Sequence, residues 1–128
     1  MLNREAILNT ATGRKTMVLD VKPWGDKVTI RGLSAGELDH VESMISAYDK
    51  DPLSITTKLR ATACAYLLSD ASGNRLFSDA DIDALDQLPA AGLTVVFNKG
   101  LEFNKRLAKA ADAEKNSGTT PNESSGAS

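Results

Sequence analysis

The chain has 128 residues, 41% apolar and 25% charged, with a formal net charge of −2 and an isoelectric point near 5.3. This is the make-up of an ordinary soluble globular protein, and the length favours one domain with a modest core. The charge balance argues against a general nucleic-acid binder, which carries a basic excess or stripe. The one cysteine, Cys64, allows no internal disulfide and no zinc-binding cysteine cluster. In the run ATACAYLL it reads as a small buried hydrophobe. No run of about 20 apolar residues is present to span a membrane. The opening MLNREAILNTATGRK lacks the apolar centre of a signal peptide. The expected location is the cytoplasm.

In chain order, REAIL predicts a short helix and NTATGRK a loop. From Thr16 to Lys22 the chain alternates, with Met17, Leu19 and Val21 on one face. After PWGD, Val28 and Ile30 alternate with Lys27, Thr29 and Arg31, so a β-hairpin is expected over about 16–31. Trp24 at its tip has two readings, folded back onto the core or exposed as a contact residue.

RGLSAGEL at 31–38 is echoed by RLFSDADI at 75–82. Ser34 with Glu37 is a capping box, and Leu33 with Leu38 a hydrophobic staple. Ser78 with Asp81, flanked by Phe77 and Ile82, repeats that logic with a shorter acid. The residues after each copy differ, so the two are helix starts and not a duplicated domain. The first helix should run from Ser34 to about Tyr48, burying Leu38, Val41, Ile45 and Tyr48. Asp51 with Pro52 then starts a second, to about Leu68, burying Ile55, Leu59, Ala63, Tyr66 and Leu67. A short third helix spans Ser78 to about Gln87.

A last helix begins at Pro89 or Ala90 and reaches about Ala111. One row holds Leu93, Phe97, Leu101 and Ala108, and a neighbouring row Val96, Phe103 and Leu107, which together make a wide apolar face. That face is either covered by the other helices or partly left as a subunit or partner interface. EKNSGTTPNESSGAS has no large apolar residue and is expected to be disordered. The expected fold is therefore α+β and predominantly helical. It has an N-terminal hairpin and three to four helices in a domain at 1–112, with a disordered tail at 113–128.

Residues 70–81, DASGNRLFSDAD, place Asp70, Ser72, Asn74, Ser78 and Asp81 at calcium-loop positions. The sixth position, which needs glycine, is Arg75, and the twelfth is the short Asp81, so a plain turn is the better reading. His40 stands alone beside solvent-facing acids. No glycine-rich phosphate loop, HExxH or nucleophile elbow is present. Asp79 and Asp83 form an acid pair of a kind common on solvated faces. The acidic helix DADIDALD does not suit DNA. No catalytic residue, cofactor, metal or nucleic acid is expected.

Taken together, the chain resembles the tail assembly chaperones of long-tailed, non-contractile bacteriophages. The pieces that carry the likeness are WG at 24–25, RGLSAGE at 31–37 and LRATACAYLLSDASGNRLFSDADIDAL at 59–85, within roughly residues 16–108. The resemblance implies a non-enzymatic, mainly helical protein that forms a homo-oligomer in the host bacterial cytoplasm. Such a protein binds the tape-measure protein before major tail-tube subunits polymerise around it, and is absent from the mature virion. Family members are often made in two forms through a programmed −1 ribosomal frameshift. Glu114, Lys115 and Asn116 can be encoded GAA AAA AAC, which contains a slippery heptamer; other codons and a single product are the alternative. Candidate contact residues are Leu93, Val96, Phe97, Leu101 and Phe103, together with Trp24, their split between core and interface left open. The competing function is a small structural or adaptor protein of a virion or regulatory complex.

Overall fold

A computed structural model describes residues 1–9, 14–52 and 58–117, with backbone alone for 111–117. After a short helix α1 (Arg4–Asn9), the expected hairpin forms between β1 (Thr16–Val21) and β2 (Asp26–Arg31), paired from Thr16↔Arg31 to Val21↔Asp26. A 3-10 turn over Lys22–Trp24 joins them, with Pro23 in its first turn. Gly25 ends it at φ 75°, a left-handed backbone that costs glycine no Cβ clash. Leu19, Val21 and Ile30 are buried, and Met17 and Val28 pack beside them, as the alternation requires.

The sheet has a third strand that the sequence pattern did not disclose. Helix α3 (Leu59–Leu67) ends where Leu68 turns extended, with φ −69° and ψ 127°. β3 (Leu68–Ser69) then pairs antiparallel with β2, giving the order β1-β2-β3. Two residues are too few to show an alternation, so LLS reads as the end of a helix. A second correction concerns Arg31, which alternation assigns to the solvent side. It is buried, its guanidinium taken up by the Tyr66 carbonyl and the Glu37 carboxylate.

Helix α2 (Ala35–Lys50) starts at the predicted box: the Glu37 N–H donates to Ser34 Oγ at 3.1 Å, and the Ser34 N–H to Glu37 Oε1 at 2.9 Å. Val41 and Met44 are its buried residues. Tyr48, expected in the core, is exposed near the end of a helix two residues longer than anticipated. Asp51 closes α2 through its N–H to the Ala47 carbonyl, while the helix start expected at Asp51 and Pro52 runs into residues 53–57, outside the described residues. The expected second helix falls partly on 53–57, including Ile55, outside the described residues; α3 is seen from Leu59. Ala61 through Ala65 are all buried, and these small side chains let α3 run through the middle of the domain. Tyr66, also expected in the core, is half-buried.

At the second box the Ser78 N–H donates to Asp81 Oδ2 at 2.8 Å, while the Asp81 N–H bonds the Ser78 carbonyl. The short acid accompanies a tight 3-10 turn (Asp79–Asp81) before α4 (Ile82–Asp86). Helix α5 (Ala90–Ser117) has 28 residues, about 42 Å. It extends past Ala111 because Ala, Lys and Glu are good helix formers; residues 118–128 are not described. Gly92 and Gly100 are both buried on α5. A Cβ at Gly92 would strike the Trp24 ring, and one at Gly100 the Leu67 side chain.

These approaches predict opposite outcomes for two glycine-to-alanine changes. Gly100→Ala gains about 1 kcal/mol of helix propensity, yet overpacks Leu67 and should lose about 1–3 kcal/mol net. Gly36→Ala, in open space on α2, should be neutral or stabilise by about 0.4–1 kcal/mol. Urea denaturation of both variants checks the pair.

Candidate protein-binding site

The motif residues build the frame of the molecule. Arg31, with its side chain 5% exposed, donates from Nε to the Tyr66 carbonyl at 2.7 Å and from Nη2 to Glu37 Oε2 at 2.6 Å. Arg14 reaches Glu37 Oε1 from the other side at 3.0 Å. Burial is the largest influence on the Glu37 carboxyl and favours its neutral form. The Ser34 N–H and the charges of Arg31 and Arg14 outweigh it and hold the carboxyl below its ordinary value. Burial also draws Arg31 down, though a guanidinium stays charged in proteins.

The DASGNR turn is built the same way. The Asp70 carboxylate accepts from the Ser72 N–H at 2.8 Å and the Asn74 N–H at 3.0 Å. The Asn74 bond comes first among the influences that hold its pKa low. Gly73, at φ 89°, closes the turn. The carboxylate that would lead a calcium loop is therefore engaged with its own backbone. Among the described residues no group of three or more His, Cys, Asp or Glu is placed to hold a metal. Arg75 donates to the Ala65 carbonyl at 3.1 Å, pairs with Asp79 at 2.9 Å, and lies 5.1 Å over the Tyr66 ring. His40 lies 6.2 Å from that ring, between centroids. Burial pushes the Cys64 thiol up to about 12, which removes it as a nucleophile.

The predicted contact residues of α5 divide. Leu93, Val96 and Phe103 are in the core. Phe97 and Leu101 are half-buried and line a cleft of about 450 Å³ with Ile45 and Tyr48 of α2 and Leu59 of α3. Asp49, Asp86, Lys58, Arg60 and Lys105 ring this apolar floor with both signs of charge. Trp24 is not part of it: folded against α5 at Gly92, it keeps 36% of its surface exposed. Ile45, Tyr48 and Leu59 belong to the groove and were missed as contact residues. Their helical spacing marks them as apolar-face residues but cannot say which side of that face stays open. Glu114, Lys115 and Asn116 fall in the last turns of α5.

Among solved structures, this fold is similar to that of the bacteriophage HK97 tail assembly chaperone, with a TM-score of 0.53 over 78% of this chain and 94% of that one. The two share 13% sequence identity, so the likeness is one of fold. No protein-family model and no curated protein matches the chain.

The charge cluster makes its own prediction. Glu37→Gln keeps the shape but leaves Arg31 a buried cation without its counterion, at a cost of about 3 kcal/mol by urea denaturation. Because the Glu37 pKa is depressed on folding, its contribution is full above about pH 4.3 and is lost as pH falls through the lower folded value. The variant's stability should therefore vary less than the wild type's below that pH.

Proposed function

We propose that the chain is a non-enzymatic tail assembly chaperone of a long-tailed, non-contractile bacteriophage. In this reading it self-associates and binds the tape-measure and major tail-tube proteins in the host bacterial cytoplasm, and is absent from the finished virion. The observation that carries the reading is the fold correspondence, which takes in 94% of the HK97 chaperone chain. The groove supplies a physical means. An unassembled tape-measure protein offers long apolar helical stretches, and an amphipathic helix can lay its apolar face over Phe97, Leu101 and Tyr48. The surrounding Asp49, Asp86, Lys58, Arg60 and Lys105 meet its polar flanks. A cover that must later give way to tube subunits is best held by many weak sites rather than one strong one.

The reading includes a second, longer product made by −1 frameshifting at the codons for Glu114, Lys115 and Asn116. Sequencing those codons and weighing the products of the native gene should reveal a slippery heptamer and a longer chain sharing the first 116 residues; a non-slippery sequence with one product removes this part.

For the groove, the expected result is that the wild-type chain keeps co-expressed tape-measure protein soluble and co-purifies with it. Tyr48→Asp, at an exposed site, should change stability by less than about 1 kcal/mol while weakening that binding at least about tenfold. Undiminished binding by the variant would reject the groove. Recovery of the protein in stoichiometric amounts from finished tails would replace the chaperone with a virion structural protein.

A further inference from the structure

The sheet ends on β1, and its outer edge has no strand beside it among the described residues. The Gly32 N–H donates to the Lys15 carbonyl, so Lys15 and Gly32 form a hydrogen-bonded position of the ladder. Antiparallel bonding alternates. In the observed register, Met17–Ile30, Leu19–Val28 and Val21–Asp26 are therefore the bonded pairs. The backbone N–H and C=O groups of Thr16, Val18 and Asp20 point the other way, to the open edge. The side chains of these residues share the outer face, and Val18 at its centre is 64% exposed. Edges are commonly guarded by lysine, proline or a bulge. Here a valine holds the middle, and Pro23 comes only after the strand has ended.

We propose that this edge is a self-association surface, where β1 of a second copy pairs antiparallel with β1 about a two-fold axis through Val18. The edge is complementary to itself in that register. Val18 meets Val18 of the second copy, and at each end the Thr16 hydroxyl faces the Asp20 carboxylate across the axis. A slip by two residues sets Val18 against Thr16 or Asp20 and loses both matches. Arg14 falls opposite Lys22 of the second copy, but its guanidinium is turned in toward Glu37. The outward backbone groups of Thr16, Val18 and Asp20 are all satisfied, and one sheet runs β3-β2-β1-β1-β2-β3. The interface is isologous and closed. None of the groove's lining residues belongs to β1, so each dimer carries the groove twice.

This names the surface for the self-association proposed above, and its test needs only the purified full chain. In Val18→Cys the introduced thiols face each other about 5.5 Å apart between Cα atoms, and the shortest bis-methanethiosulfonate reagent should bridge them into a covalent dimer. Cys64 is buried and does not compete. Thr16→Cys should form no covalent dimer under the same treatment, since the two positions lie about 13 Å apart along the strands. By sedimentation, Val18→Lys should weaken the dimer at least about tenfold, with the melting temperature of the dilute, monomeric chain unchanged. Bridging of Thr16→Cys as readily as Val18→Cys, or a dimer indifferent to Val18→Lys, would overturn the edge while leaving self-association in place. A monomer at every concentration would overturn both and leave tape-measure binding to be judged separately.

Discussion

The Glu37 carboxylate receives hydrogen bonds or charge contacts from three parts of the chain at once. It accepts the Ser34 N–H that opens α2, the Arg31 guanidinium at the end of β2, and the Arg14 guanidinium ahead of β1. Arg31 in turn holds the Tyr66 carbonyl near the end of α3, just before the chain turns extended to form β3. One acid and one base thus fix where the hairpin stops, where α2 starts and where α3 gives way to a strand. A pair so nearly buried adds little net stability over an apolar replacement, because desolvation offsets most of the attraction. Its strength lies in geometry, since each partner would be costly to leave alone.

From that corner the domain is assembled by close approach. The Asn104 side chain, buried on α5, accepts the Leu33 N–H at 2.9 Å and donates to the Gly100 carbonyl at 2.9 Å. It couples the long helix to the segment between Arg31 and Ser34. Gly100 admits Leu67, Gly92 admits Trp24, and the buried Ala61–Ala65 stretch gives α3 a thin profile. Tight packing along this side of α5 leaves the neighbouring row, at Phe97 and Leu101, without full cover among the described residues. The groove is what remains where large residues on α5 outnumber the described side chains able to reach them.

How much could be read from the sequence depends on how local each signal is. Ser34 with Glu37 identifies a helix start because the capping partners lie within four residues. The hairpin was legible because Met17, Leu19 and Val21 alternate against Val28 and Ile30 around a Pro-Trp-Gly turn. The burial of Arg31 was not legible, since its neighbours Tyr66 and Glu37 arrive from elements that alternation cannot see. The same holds for β3, whose two residues have no period of their own, and for Asn104, a polar residue that takes its meaning from a backbone N–H 71 positions away. The α5 contact residues were named as a set, and only three-dimensional packing could separate Leu93, Val96 and Phe103 from Phe97 and Leu101. Motifs that distinguish the chain proved to be turn and cap chemistry, while the groove is lined by common apolar residues.

Past Leu107 the long helix changes character. Ala108, Lys109 and Ala110 are exposed, and the helical backbone continues to Ser117, an axial distance of about 15 Å from Leu107. A segment of this kind acts as a threaded rod. Each residue added or removed within it advances whatever is joined beyond by about 1.5 Å and turns it by about 100°. Distance and bearing are therefore one setting, and two products that part company near Asn116 would leave the domain from the same height and in the same direction.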